Sequence, residues 1–178
     1  MTVKKGGVKG VTVENWLVQD PVMVPWTRVN MVDGSSRPTT GEDWILSVNA
    51  VMLAPHVPDE IHDLFEYAKG AMGYGYFYYP LFTLVAQQLL RVADIAVDVL
   101  FDKLAVVPKP KSLDRRIVIL RERWLIDDEQ YFLFDMLREM RNRATHDPTR
   151  TILMPPHAIE DIHWIAEMIS GLPWPIQH

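Results

Sequence analysis

The chain contains no cysteine among its 178 residues. Disulfides and thiolate metal sites are therefore excluded, and a reducing compartment suits it, so a cytoplasmic location is the expectation. No uncharged apolar run reaches the eighteen or so residues of a membrane span. The most apolar stretch, residues 81 to 104, is broken by Gln87, Gln88, Arg91, Asp94 and Asp98. The first residues, Met1 to Gly7, start with the lysines of a leader, but no apolar segment follows them, so no secretory leader is expected there. Also missing are a Gly-x-Ser-x-Gly elbow, a phosphate-binding glycine loop and a His-Glu-x-x-His pair. The glycines of Gly70-Ala71-Met72-Gly73-Tyr74-Gly75 do not make a dinucleotide fingerprint, and no strand precedes them. Positive charge is short overall: the net charge is -5, which argues against a general nucleic-acid binder.

Within that acidic chain the charge is uneven. Residues 103 to 150 hold 11 of the 18 Lys and Arg but only 8 of the 23 Asp and Glu, a local balance of +3. Solvated helix faces account for most such patterns, and an anion-binding face is the sharper alternative.

From residue 58 onward the apolar residues recur at helical spacing. Pro58-Asp59-Glu60 opens a helix to about Gly70, with Ile61, Leu64, Phe65 and Ala68 inward. Residues 70 to 80 read as a connection whose aromatics pack at the mouth of a bundle; an aromatic substrate platform is the lesser reading. Residues 81 to 104 form the longest helix. It is apolar nearly all round and therefore central, with Gln87, Arg91, Asp94, Asp98 and Asp102 as its narrow polar stripe. Arg91 and Asp94, at i and i+3, can pair on its surface. Pro108 and Pro110 mark a loop, Ser112 caps a helix from Leu113 to about Trp124, and Pro155-Pro156 opens a last helix to about Ser170.

Residues 1 to 57 show no helical period. Val11-Thr12-Val13, Val22-Met23-Val24 and Trp44 to Val48 suggest short strands or extended arms, with a turn at Asp33-Gly34-Ser35-Ser36. Trp16, Trp26 and Trp44 are anchors that would pin this arm to the helical body. The expected architecture is mainly all-α: an extended, short-stranded arm over 1–57 and a bundle of about five helices over 58–178.

One stretch combines regular structure with chemistry. Phe132, Leu133, Met136, Leu137, Met140 and Ala144 set a helix from Asp128, with acids at its start and Arg141 and Arg143 near its end. Asp147-Pro148 stops it. Arg141 and His146, five positions apart with Asn142 beside the arginine, can line one small pocket if the helix end lets the histidine fold back. Histidine can move a proton at neutral pH, and arginine can hold a phosphate and the charge that develops on it. Attack on a phosphodiester is the reaction that uses this pair, and it requires no metal. The plainer account is two cations placed favourably at a helix C-terminus.

Arg141-Asn142-Arg143-Ala144-Thr145-His146 resembles the R-x4–6-H motif of the HEPN superfamily, including the polar residue after the arginine. The lead-in Leu137-Arg138-Glu139-Met140 and the long helix with Leu90-Arg91-Val92-Ala93-Asp94 are similar to helices of that family as well. The resemblance covers about residues 58 to 170. It implies a bundle that dimerises, many of whose relatives are metal-independent endoribonucleases of toxin–antitoxin, phage-defence or RNA-processing systems, while others are non-catalytic binding modules. It assigns catalysis to Arg141 and His146 and support to Asn142; apart from the resemblance, Arg91 and Asp94 would stand behind the site if the polar stripe of the long helix faces it instead of water. Asp94 is the nearest match to the family's acidic residue on an earlier helix. It implies RNA and a cognate antitoxin or other protein as partners, a homodimer, and no cofactor.

On the last helix His157, Glu160, Asp161 and His163 have ligand-compatible spacings. A helical di-metal site needs two Glu-x-x-His pairs, and only one is present, so no metal is expected and a solvated face is the main reading.

Overall fold

The apolar periods after residue 58 become helices almost where they begin and end in sequence. The computed structural model describes residues 9–107, 109–146 and 154–175, with the backbone alone over 141–146. After a short 3-10 turn at Pro21–Met23 come β1 (Thr27–Val29), β2 (Ser36–Pro38), α1 (Gly41–Asn49), α2 (Asp59–Tyr74), α3 (Leu81–Lys103), α4 (Leu113–Glu122), α5 (Asp128–His146) and α6 (Pro155–Ser170). The protein is mainly helical, with a small antiparallel hairpin near its N-terminus that pairs Thr27 with Pro38, Arg28 with Arg37 and Val29 with Ser36. Among the described residues no helix is long and apolar enough to cross a membrane.

α3 is the centre. It packs against α2, α4, α5 and α6, and Phe82, Leu89, Val92, Ala93, Ala96, Val97 and Leu100 are all but inaccessible to solvent. Burial on all but one narrow side, where Leu84, Gln87 and Arg91 are exposed, is what its sequence requires, because it has too little polar surface to face water on a broad side. The helix ends follow their side chains. Ser112 Oγ accepts from the Arg115 amide at the start of α4, and Asp127 and Gln130 exchange bonds at the start of α5, one of them 2.8 Å long.

The arm departs from expectation in three places. Trp44 to Val48 is helical, inside α1, because Thr40 and Asp43 form a capping box: the Asp43 amide donates to Thr40 Oγ1, and the Asp43 carboxylate accepts from the Thr40 amide. Trp44 and Val48 then fall on one face and are buried. Val22 and Met23 belong to the 3-10 turn, which Asp20 caps by accepting from the Val22 amide. Val11 to Val13 leads into a turn, with the Asn15 side chain accepting from the Thr12 amide. The strands form instead on either side of the expected turn, where Gly34 takes φ +71°. Among the described residues the bundle after residue 58 holds the expected five helices, α2 to α6, and α1 of the arm adds a sixth. α2 is also longer than expected, taking in Gly70 to Tyr74.

Two buried charges attach the arm to the segment between α2 and α3. Lys9 Nζ donates to Val18 O and Phe77 O, and the Asp20 carboxylate accepts from the Tyr79 amide at 3.0 Å. The aromatics of that segment pack as expected. Tyr76 and Tyr79 are buried, and the Tyr79 and Trp44 rings lie 6.0 and 5.1 Å from Phe82, centroid to centroid. An open substrate platform does not form there, because burial takes up those two tyrosine faces.

Gly75 permits this closure: a methyl group on it would sit 1.9 Å from Phe82 Cε1. Gly75→Ala should destabilise the protein by about 1–3 kcal/mol through overpacking. Gly70→Ala, in the interior of α2 with nothing within 4 Å of the added carbon, should stabilise it by roughly 0.5–1 kcal/mol. Urea denaturation of the two variants tests the pair, and equal midpoints would contradict the packing described.

Candidate functional site

α5 is one unbroken helix from Asp128 to His146 and packs against α3, α4 and α6. Phe134 and Leu137 are buried, while Phe132 and Met136 stand out from the same helix, exposed and one turn apart. Positions 141 and 146 fall in its last turns. Five positions along a continuous helix place their Cα atoms about 140° apart around the axis. The side chains of Arg141, Asn142 and His146 lie outside the described residues, as does the Asp147-Pro148 stop.

The two residues expected behind that corner are placed differently from each other. Arg91 is exposed and does not pair with Asp94. Asp94 is half-buried and lies 3.6 Å from the Arg116 guanidinium of α4, which also approaches Asp98 at 3.0 Å. Arg116 is itself buried, and it donates to Pro110 O and Lys111 O. The expected pairing within α3 is replaced by one between helices because Arg116 comes from a packed neighbour, already fixed by its two backbone bonds. A surface pair at i and i+3 contributes only about 0.2–0.5 kcal/mol and has no such support.

Sequence reasoning missed a second arrangement at the base of the hairpin. Asp43 of α1 is buried, and its carboxylate collects the guanidinium groups of Arg28 and Arg37, which face each other across β1 and β2. Arg37 binds through two nitrogens, with Nη2 2.7 Å from Oδ1. Arg28 binds through Nη1 alone, at 3.1 Å, and its side chain is 54% exposed. The bonds from Arg37 come first in holding the Asp43 carboxyl well below the ordinary carboxylate range, followed by those from Thr40. The same contacts push the Arg37 guanidinium up.

Beside this triad a cleft of about 400 Å³ opens between the hairpin, α1 and the start of α6. Its walls include Trp26, Trp44, Pro155, Pro156 and Ile159, and Arg28 and Glu160 also line it. The signals were present in the sequence: a Thr-x-x-Asp capping box, and two arginines placed symmetrically about a turn.

The α6 carboxylates and histidines do not converge. Among the described residues no group of three or more His, Asp or Glu side chains could hold a metal ion. Asp161 is half-buried, and burial pushes its carboxyl up; His157 opposes the shift and Glu160 adds to it. Comparison with known proteins finds no family model, no curated protein and no solved structure that matches this chain.

The two shifted carboxylates should respond oppositely to pH. The Asp43 carboxyl is lowered from 3.8, so its contribution to stability is complete above that value and is lost as pH falls through the folded value. The Asp161 carboxyl is raised from 3.8, so its contribution is complete below that value and is lost as pH rises through the folded value. Asp43→Asn should therefore lower Tm at pH 7 and Asp161→Asn should raise it; the Asp161 difference should already be gone by about pH 4, while the Asp43 difference shrinks only below that. Melting curves across that range decide the matter, and two shifts of the same sign at pH 7 would contradict these environments.

Proposed function

We propose that this is a HEPN-like protein that cleaves RNA without a metal, with Arg141 and His146 at the end of α5 as the reacting pair. The observation that carries the reading is the continuity of α5 to His146. The Arg-Asn-x3-His sequence occupies the end of a late helix packed on the long central helix, as the family resemblance requires. In the reaction His146 takes the proton of a ribose 2′-OH, the oxygen attacks the adjacent phosphorus, and the 5′-oxygen leaves with a proton. The products are a 2′,3′-cyclic phosphate and a 5′-hydroxyl. Arg141 stabilises the charge on the non-bridging oxygens, and Asn142 orients one of the pair.

The separation of about 140° between the two Cα positions gives a second chain a purpose. A homodimer that brings two α5 ends together supplies an arginine from one chain beside a histidine from the other. The exposed Phe132 and Met136 of α5 offer an apolar contact for it. The apolar surface of α3 offers little, because α2, α4, α5 and α6 of the same chain largely cover it. A toxin–antitoxin or phage-defence role, with a cognate antitoxin as protein partner, is the setting the resemblance suggests. The second reading is a ligand-binding helical module without chemistry, and the cleft beside Asp43 favours it.

Replacing His146 with Ala should slow RNA cleavage by about 10²–10⁴-fold. Arg141→Lys should also fail, since an ammonium cannot make the forked contact to a phosphate. Arg143→Ala should cost less, and EDTA should leave the rate unchanged. Gel-based cleavage of mixed structured and single-stranded RNA measures all four, and a wild-type rate for the His146 variant would remove the mechanism. Sedimentation of the wild type should give a dimer that Phe132→Glu dissociates. A monomer at tens of micromolar, a protein concentration at which a specific dimer should persist, would remove the paired-corner arrangement.

A further inference from the structure

The cleft beside the Asp43 triad has the makings of a ligand site. Its volume, about 400 Å³, lies in the range of small-molecule pockets, which are typically ~300–1,000 Å³. Its charges are not all available. Asp43 Oδ1 accepts from Arg28 and Arg37, and Oδ2 accepts from Arg37, the Thr40 amide and Thr40 Oγ1, so this carboxylate has no capacity left for a ligand. Arg37 is turned onto Asp43 with two nitrogens.

Two charged groups on the lining keep free capacity. Arg28 gives Asp43 a single nitrogen, which leaves the rest of its fork open. Glu160 of α6 is exposed and has no cation beside it among the described residues. Between them stand the apolar walls. Trp44 is buried, and its indole N–H is already committed to Met72 O at 2.9 Å, so it presents only ring surface. Trp26 is partly buried, and its indole N–H has no acceptor among the described residues. One anion-binding fork, one free carboxylate and two indoles in one cleft match a molecule carrying both charges on an apolar body.

We propose that this cleft binds a small zwitterion of the aromatic amino-acid class, its carboxylate held by Arg28, its ammonium by Glu160, and its ring packed against Trp26. A simple organic anion would meet Glu160 as a like charge, and a simple amine would meet Arg28 as one. The zwitterion satisfies both. No residue of α5 is among those that line the cleft, so binding here and RNA cleavage at the α5 corner are separate measurements, and one can fail without the other.

The test uses the full chain and three probes that differ by one charge each: L-phenylalanine, 3-phenylpropionate, which lacks the ammonium, and phenethylamine, which lacks the carboxylate. Titration calorimetry gives affinities, and the Trp26 indole N–H resonance, assigned with a Trp26→Phe variant, gives the location. L-phenylalanine should bind saturably and move that resonance. Each truncated probe should bind about tenfold more weakly or worse, as loss of one charged hydrogen bond implies. Glu160→Gln is an exposed change that leaves the fold intact. It should weaken L-phenylalanine by about tenfold and leave 3-phenylpropionate unweakened. Three results would overturn the proposal: no saturable binding of any probe to its solubility limit, 3-phenylpropionate binding as tightly as L-phenylalanine, or binding that leaves the Trp26 resonance in place.

Discussion

The burial of α3 is the constraint on which the other elements depend. A helix of 23 residues with one narrow polar stripe cannot face solvent on a broad side, so α2, α4, α5 and α6 are arranged around it. The polar stripe is then used between helices. Asp94 and Asp98 meet Arg116 of α4, and Lys109 of the preceding loop bridges Asp98 and Asp102, each at 2.8 Å. A buried arginine costs a great deal to desolvate unless its donors are occupied, and Arg116 has two carbonyls and two carboxylates around it. The position of α4 on α3, and through α4 part of the seating of α5, follows from that cluster.

The arm is attached by a different logic. Its strands are short and exposed, and a two-stranded hairpin is marginal on its own. Polar anchors compensate. Lys9 and Asp20 reach the backbone between α2 and α3, and Asp43 ties both strands to α1 through Arg28 and Arg37. The cleft is a by-product of this anchoring. The hairpin is held at its base, so a space remains between it and the start of α6, and the less firmly bound of the two arginines lines that space.

The helices after residue 58 were legible because their signals are local: apolar spacing, a proline with acids at the start of α2, Ser112 before α4, and paired prolines opening α6. α1 was not. Trp44-Ile45-Leu46-Ser47-Val48 has the aromatic and β-branched content of a strand, and the capping box that makes it helical consists of two side chains ahead of the run. The Arg28–Asp43–Arg37 triad depends on strand register and a helix start meeting in space, which spacing along the chain does not reveal. The Arg91–Asp94 pair illustrates the opposite error. Spacing allows it, but Arg116, distant in sequence, sits nearer Asp94. The α5 helix was legible in its apolar spacing and runs to His146, while the side chains of Arg141, Asn142 and His146 lie outside the described residues.

In the proposed reaction the corner at the end of α5 turns a ribose hydroxyl on its neighbouring phosphate. The chemistry of the product ends tests that most directly. Mass spectrometry of RNA fragments produced by the purified protein in EDTA should show 2′,3′-cyclic phosphates paired with 5′-hydroxyls. Fragments carrying 5′-phosphates and 3′-hydroxyls, or intact RNA in the presence of the folded protein, would contradict it.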